Sequence, residues 1–152
     1  MAVDVLKALG YRFEPLVVTP ERGRLAFFAR ATGQHDRIYA DPAAAKAAGH
    51  RDLPVPPTFF FSLELERPDP FGWLTELGVD LRRVLHGGQS FTYHATAHAG
   101  DTLTLNTRIV DVTVKKAGAL DVLTKRTEVT RAGEPVADAV TVIVVRNPEA
   151  GA

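Results

Sequence analysis

The spacing of apolar residues changes from helical to alternating about halfway along the chain. In the first half, short stretches with apolar positions three or four residues apart are bounded by Gly and Pro, which is typical of short helices. From Leu85 onward the period is two, which predicts long strands. The predicted helices span 3–9, 20–32, 42–48 and 71–77, and the predicted strands span 11–18, 85–98, 103–114, 120–131 and 135–146.

One segment of the first half, between Asp52 and Arg67, is apolar on almost every side. Its three prolines between positions 54 and 57 impose an extended approach, and Thr58 is placed to cap a following helix. A helix that is hydrophobic all round is buried all round. We therefore predict a central helix over Thr58–Leu65 that is enclosed by a curved sheet.

The alternation in the strand that begins at Leu103 slips by one position between Ile109 and Val110. A β-bulge produces such a slip, and bulges bend sheets. The continuous apolar run Ala139–Val145 predicts a strand in the middle of the sheet. A curved antiparallel sheet around one buried helix is the hotdog fold, so the predicted class is α+β. We predict one hotdog domain over 1–147 and a frayed tail over 148–152.

The net charge and the absence of cysteine exclude several classes of function. Eighteen basic residues balance eighteen acidic ones, so the net charge of zero argues against nucleic-acid and membrane partners. The absence of Cys excludes a disulfide scaffold, a thiolate zinc site and a cysteine nucleophile. The N-terminal stretch has no signal-peptide pattern, and no apolar run approaches the ~18–20 residues of a membrane span. We expect a cytoplasmic protein that dimerises through the exposed edge of its sheet.

Five segments carry motifs: FARATGQHDRIY at 28–39, PPTF at 56–59, LHGGQSF at 85–91, AGDTL at 99–103 and TVIVVR at 141–146. Together, and in this order, they resemble the MaoC-like dehydratases, in particular the N-terminal (FAS1-like dehydratase) type. The resemblance implies a hotdog fold that hydrates trans-2-enoyl thioesters or dehydrates (R)-3-hydroxyacyl thioesters. It implies no cofactor, because CoA or acyl carrier protein arrives with the substrate.

The resemblance also implies an Asp and a His with four residues between them, and this chain departs from that pattern. In register with Thr32-Gly33, the Asp position is Gln34 and the His position is Tyr39. Gln exchanges no proton near neutral pH, and a Tyr with an ordinary pKa of ~10 is a poor base. Pro57-Thr58 replaces a His-Gly pair, and Pro57 has no N–H for a thioester oxygen. The chain therefore resembles the dyad-less subunit of heterodimeric (3R)-hydroxyacyl-ACP dehydratases, in which a second MaoC-like subunit supplies Asp and His.

Several residues are open to two interpretations. His35 and Asp36 could form a shifted catalytic pair, or Asp36 could simply stabilise the turn. His86 could contact substrate, or tie a strand end to a loop through Gln89. Tyr39 could bind the thioester or be a half-buried core residue. The candidate substrate-binding residues are Tyr39, Thr58, Phe59, His86 and Gln89.

Two further patterns carry less weight. His94 and His98 lie on one face of a predicted strand, too far apart to share a metal ion easily, so no metal site is predicted. The basic pairs Arg82-Arg83 and Lys115-Lys116 could meet a CoA phosphate, but such pairs are usually solvated.

Two other functions stay open. A self-sufficient homodimer could act as a hydratase or thioesterase through His35 and Asp36 or through His86. Alternatively, the chain could be a hotdog protein that binds acyl groups without turnover.

Overall fold

The alternating second half of the chain supplies four strands of a five-stranded antiparallel sheet, and the first half supplies the fifth, in the computed structural model, which describes residues 2–151. Its strands are β1 (Leu16–Val18), β2 (Val84–Tyr93), β3 (Leu103–Lys115), β4 (Leu120–Arg131) and β5 (Glu134–Arg146). Their order across the sheet is β1-β3-β4-β5-β2. Strand β5 therefore lies between β4 and β2, as the apolar run Ala139–Val145 predicts.

Within the described residues, five short α-helices precede or interrupt the strands: α1 (Val5–Leu9), α2 (Arg22–Ala31), α3 (Pro42–Ala47), α4 (Phe59–Glu64) and α5 (Gly72–Glu76). Single 3₁₀ turns cover Arg37–Tyr39, Leu81–Arg83, Lys116–Gly118 and Pro148–Gly151. None of the helices within residues 2–151 is both long enough and apolar enough to cross a membrane.

Helix caps agree with the sequence at some ends only. Helix α3 begins at position 42 as predicted, and Asp41 caps it, because its side chain accepts a hydrogen bond from Ala43 N at 2.9 Å. Thr58 does not cap α4, since its backbone is already helical, whereas a capping side chain needs an extended backbone. The predicted start of α2 at Pro20 is also wrong, because α2 begins at Arg22 with Glu21 in the cap position.

Strand β2 is shorter than predicted. It ends at Tyr93 rather than at His98, because the N–H groups of His94 and Ala95 both donate to Val136 O and the ladder stops there. The following residues pair instead with the segment before α4: Val55 N donates to Ala97 O, and Ala99 N donates to Leu53 O, both at 2.8 Å.

Bulges bend the sheet around the helix. The register of β3 against β4 shifts between Ile109 and Asp111, which confirms the predicted bulge. A second shift lies between His86 and Gly88 where β2 meets β5. Gly87 is required there, because a Cβ at this position would lie 2.8 Å from Val144 Cγ2. The bends give the sheet a concave face, which is the shape a central helix needs.

The concave face covers α4, and the predicted burial of the central helix is confirmed, with bounds of Phe59–Glu64. Phe59, Phe60 and Leu63 are each at most 3% exposed and pack against β3, β4 and β5. A second apolar cluster forms under α5 around Trp73 and Leu74. The hydrophobic core is therefore two adjoining clusters on one side of the sheet.

One buried carboxylate, Asp121, holds both ends of the chain. Its Oδ2 accepts hydrogen bonds at 2.8 Å from Val3 N and from Asn147 Nδ2. Asn147 N also donates to Ala119 O, at 2.8 Å. Pro148–Gly151 continues from this anchor as a 3₁₀ helix, and the frayed tail over 148–152 stays a prediction. Met1 and Ala152 lie outside the described residues.

Truncating Leu63 to Ala should lower the free energy of unfolding by about 2–5 kcal/mol, because the fully buried side chain leaves a cavity in α4. Urea denaturation monitored by circular dichroism measures the loss. Leu6→Ala is the matched control, since Leu6 is 82% exposed and its truncation should change stability by less than about 0.5 kcal/mol. Equal losses in the two variants would contradict the central position of α4.

Candidate functional site

A cavity of about 380 Å³ lies at the N-terminal end of α4, and we call it the Tyr39 cavity. Three segments enclose it: the 3₁₀ turn Arg37–Tyr39, the proline-rich approach to α4, and the chain beyond β2. The described lining consists of Ile38, Tyr39, His50, Pro54, Val55, Pro57, Phe60, Tyr93, His94, Ala95, Thr96 and Ala97. The cavity is thus mostly apolar, with a few polar groups from different segments.

Only one of the two dyad positions faces this cavity. Tyr39 is half-buried in its wall. Gln34 is exposed, and its Oε1 accepts a hydrogen bond from Asp36 N at 3.1 Å, so it stabilises the loop. The cavity therefore has a phenol where the family pattern places an imidazole.

The neighbouring pair His35 and Asp36 lies on the outside of the same loop. Both side chains are exposed, and neither lines the Tyr39 cavity. Asp36 Oδ1 accepts a hydrogen bond from Ile38 N at 3.1 Å and so caps the 3₁₀ turn. Of the two interpretations of Asp36, the structure favours the turn.

Two imidazoles line the cavity, His94 and His50, and no pattern in the sequence pointed to His50. Its Nδ1 lies 3.0 Å from Nε2 of His98, which is buried. Burial, followed by the charge of Arg51, lowers the pKa of His98 and keeps it neutral near pH 7. Where His50 donates in this contact, its own Nε2 is left as a proton acceptor beside the cavity.

The prediction that His94 and His98 share a strand face is wrong, because β2 ends before both. His94 Nε2 lies 2.9 Å from Asp138 Oδ2, whereas His98 turns to His50. Within the described part of the chain, no group of three or more His, Cys, Asp or Glu residues is arranged to hold a metal ion.

Asp101 fixes the loop that carries His98. Its Oδ2 accepts hydrogen bonds from His98 N at 2.9 Å and from Arg131 Nη1 at 2.7 Å, and its Oδ1 accepts one from Arg51. Burial alone would raise the pKa of Asp101, but the hydrogen bonds from His98, Arg131 and Arg51 outweigh it and lower the pKa. Asp101 of the AGDTL motif therefore holds the His98 loop in place next to the cavity through charge-assisted hydrogen bonds, and we call this arrangement the Asp101 clamp.

The start of α4 offers little to a thioester oxygen. Pro57 has no N–H, and its carbonyl accepts a hydrogen bond from Tyr93 Oη at 2.9 Å. Thr58 keeps an N–H but its side chain is exposed and outside the cavity lining. Phe59 is also outside that lining, because its ring packs edge-on against Phe28 at 5.1 Å. Phe59 is thus a core residue.

A second cavity of about 220 Å³ lies at the other end of α4, against α5 and strands β2, β4 and β5; we call it the His86 cavity. His86 lines it, with Nε2 3.1 Å from Gly88 O. Gln89 Oε1 accepts a hydrogen bond from Thr141 Oγ1 at 2.8 Å. The predicted tie between His86 and Gln89 is therefore wrong, and Tyr39 and His86 belong to different cavities.

The His86 cavity also contains a buried ion pair that the sequence analysis missed. Lys125 Nζ lies 2.5 Å from Glu64 Oε2, with 13% and 5% of the two side chains exposed. Glu64 is the one charged residue within the apolar helix α4. A single charge in an otherwise apolar helix could have indicated from the sequence that Glu64 has a buried partner. Lys125 comes from β4, and only the fold brings it to Glu64.

Comparison with known proteins places the chain among dehydratase-like sequences. A family described as "FAS1-like, dehydratase domain region" matches residues 7–139. A UPF0336 protein from Streptomyces avermitilis is 39% identical over 131 residues, which is 86% of each chain. A UPF0336 protein from Streptomyces coelicolor is 40% identical over 152 residues, which covers 98% of this chain and 99% of that protein.

Solved structures share the fold. The ChsH1-ChsH2 complex from Mycobacterium tuberculosis matches with a TM-score of 0.74 and 23% identity, over 94% of this chain and 88% of that one. The HadBC (3R-hydroxyacyl-ACP dehydratase) complex from the same organism matches with a TM-score of 0.74 and 24% identity, over 88% and 93%. A MaoC-like dehydratase matches with a TM-score of 0.78 and 22% identity, over 95% of this chain and 44% of that one. These likenesses confirm the hotdog fold.

Replacing Asp101 with Asn should destabilise the protein by about 2–3 kcal/mol at pH 7, because charge-assisted hydrogen bonds to a buried carboxylate are lost. The folded-state pKa of Asp101 lies below its ordinary value of 3.8, so its contribution is complete above that pH and is lost as the pH falls through the lowered pKa. Urea titrations from pH 7 to pH 3 should therefore show wild type and variant converging below pH 3.8. Asp111→Asn, at an exposed position, is the control. A constant difference down to the lowest pH would contradict the clamp.

Proposed function

The chain belongs to the FAS1-like dehydratase domain region family, and from that premise we propose that it is the acyl-binding subunit of an acyl-thioester hydratase or dehydratase. In this proposal a second hotdog chain supplies the Asp and His that exchange protons with the substrate. The thioester is a CoA or acyl-carrier-protein ester, and no further cofactor takes part.

The observation that carries the proposal is the chemistry of the Tyr39 cavity. Tyr39 occupies the wall where an active member would place its base, while Gln34 points into solvent and is bound to the loop. General acid–base help is worth roughly 10²–10⁴ in rate, and neither residue supplies it near neutral pH. The cavity itself suits an acyl group, because its size lies in the range of ~300–1,000 Å³ typical of ligand pockets and its walls include Ile38, Val55 and Phe60.

A hotdog partner is supported by the edge of the sheet. Strand β2 pairs with β5 on one side only, and its Leu85 and Tyr93 are about half exposed. An unpaired edge with exposed apolar side chains is a template for another strand. Two of the structural neighbours are complexes, ChsH1-ChsH2 and HadBC, and the name of the second gives it as a (3R)-hydroxyacyl-ACP dehydratase. The partner is therefore a second hotdog subunit, with a homodimer as the alternative pairing.

The basic pairs Arg82-Arg83 and Lys115-Lys116 give little support to a binding site for a CoA phosphate. Arg82 Nη2 lies 2.6 Å from Asp80 Oδ2, so its charge is already matched. Lys115 and Lys116 are exposed at the far end of β3 and are absent from the lining of the Tyr39 cavity.

The purified chain alone should hydrate crotonyl-CoA at least about 100-fold more slowly than its complex with a hotdog protein that carries the Asp-x4-His dyad. The decrease in enoyl-thioester absorbance measures both rates, and size-exclusion chromatography checks that the complex forms. The matched variant Gln34→Asp with Tyr39→His tests whether the dyad alone restores turnover to the isolated chain. Turnover by the unmodified chain at an ordinary enzyme rate would overturn the subunit proposal.

One observation favours a second candidate, a self-sufficient hydratase. His50 and His94 both line the Tyr39 cavity, although both dyad positions lack an imidazole. His94 is paired with Asp138, whereas His50 is held by the buried His98 and is the stronger candidate for a base. The location of His35 and Asp36 outside the cavity makes them weaker candidates, and His86 lies in the other cavity.

The variant His50→Gln distinguishes the two candidates. A self-sufficient enzyme should lose about 10²–10⁴ in kcat on this substitution, because its general base is removed. A dyad-less subunit should show no turnover before or after it. His35→Ala is the control, and it should leave any activity of the homodimer unchanged.

A further inference from the structure

We propose that the His86 cavity is a binding site for an apolar group that carries a hydroxyl, and that the buried Glu64–Lys125 pair recognises that hydroxyl. The site lies at the opposite end of α4 from the Tyr39 cavity. It goes beyond the proposed function, because that function needs only the Tyr39 cavity and the sheet edge.

One carboxylate oxygen of the pair has no hydrogen-bond partner within residues 2–151. Glu64 Oε2 accepts from Lys125, but Oε1 is buried and has no hydrogen-bond partner among the described residues. A buried polar atom without a partner costs about 1–3 kcal/mol, and more when it is charged. Glu64 lines the cavity, so a rotation of its carboxylate brings Oε1 to a ligand O–H, and that hydrogen bond removes the cost. Lys125 Nζ carries three N–H donors, so the same hydroxyl oxygen can accept from it in return.

Apolar side chains form the wall around the pair. The cavity is lined by the apolar side chains of Phe61, Trp73, Leu74 and Ile143. At its rim, Leu65, Phe71 and Leu85 are 42–50% exposed. Its 220 Å³ corresponds to about seven water volumes, which is enough for a ring or a short alkyl chain. Apolar walls with a few convergent polar groups are the general form of a small-molecule site.

The charges of Glu64 and Lys125 determine which polar group a ligand in this cavity can carry. Glu64 and Lys125 neutralise each other, so a carboxylate or phosphate ligand would meet the unpaired carboxylate oxygen and be repelled. An ammonium ligand would be repelled by Lys125. A neutral group that both donates and accepts fits both partners, and a hydroxyl is the smallest of these. A plain hydrocarbon of the same size leaves Glu64 Oε1 unpaired, which is how sites built around a hydroxyl reject analogues that lack it.

If the chain is an acyl-binding subunit, as proposed above, this hydroxylated group is the distal part of an acyl chain. The rim residue Leu85 belongs to β2, the edge on which a hotdog partner is proposed to sit, so a chain bound at the partner's active site could enter here. That identification rests on the proposed function, whereas the hydroxyl site itself does not.

Trp73 is the only tryptophan of the chain and lines the cavity, so its fluorescence reports binding directly. Titration of the full chain with cyclohexanol and with methylcyclohexane, which are similar in size and optically transparent, should give at least about tenfold tighter binding of cyclohexanol. The tenfold estimate follows from one hydrogen bond to a charged group. Equal affinities, tighter binding of methylcyclohexane, or no response to either compound would overturn the proposal.

The double variant Glu64→Leu with Lys125→Met should reverse the preference, because it replaces the pair by apolar side chains of similar length. Replacing both partners of a buried ion pair is often neutral for stability, so this variant should stay folded, as circular dichroism checks. The control Arg108→Gln with Glu128→Gln removes an exposed pair on the neighbouring strands and should keep the wild-type preference. A double variant that still prefers cyclohexanol would also overturn the proposal.

The acyl assignment is tested separately, on the complex with a dyad-bearing partner. Hydroxylated medium-chain enoyl-CoA should have a lower KM than the unsubstituted chain of equal length, and the double variant should remove that difference. If the small probes discriminate but the thioesters do not, the site stands and its link to the acyl chain fails. If the complex is inactive with every thioester, the proposed function fails instead.

Discussion

The structure depends on covering one short helix that is apolar on nearly all sides. Phe59, Phe60 and Leu63 cannot be buried by a flat sheet, because a flat surface reaches only one face of a helix. The bulges at Ile109 and near Gly87 bend the strands until they enclose it. Since α4 is only six residues long, the sheet extends past it at both ends. The two cavities are the spaces left there, so the sites follow from how the core is closed.

The two ends differ because polar residues enter them from different directions. At the N-terminal end, His50 and His98 are brought together by an irregular segment that Asp101 clamps. At the C-terminal end, Glu64 projects from the helix itself and meets Lys125 on the sheet. The first arrangement leaves a titratable imidazole in the wall. The second holds an ion pair with one carboxylate oxygen that is unpartnered in the described part of the chain, which suits recognition more than proton transfer.

Most of the fold could be predicted from the sequence because its signals are local. Alternation gave β4 its bounds, the phase slip gave the bulge in β3, and uniform apolarity gave α4 its burial. The sites could not be predicted in the same way. His50 and His98 are 48 residues apart, and Glu64 and Lys125 are 61 apart, so no periodicity links either pair. The end of β2 was missed for a related reason: Val136 lies on β5, which is next to β2 in the sheet but far from it in sequence, and its carbonyl accepts from both N–H groups that would have continued β2.

The strand order has a consequence for how the chain emerges during synthesis. The two edge strands, β1 and β2, are made before the three strands that separate them. Strand β2 and the apolar helix α4 therefore leave the ribosome before the strands that cover them have been made. Strand β2 can pair only after β5 has been synthesised, and β5 ends at Arg146. During that interval the nascent chain exposes both its future core and its edge strand. Such apolar surface aggregates unless another protein binds it. A partner subunit or a chaperone that binds the nascent chain would meet the same apolar surface.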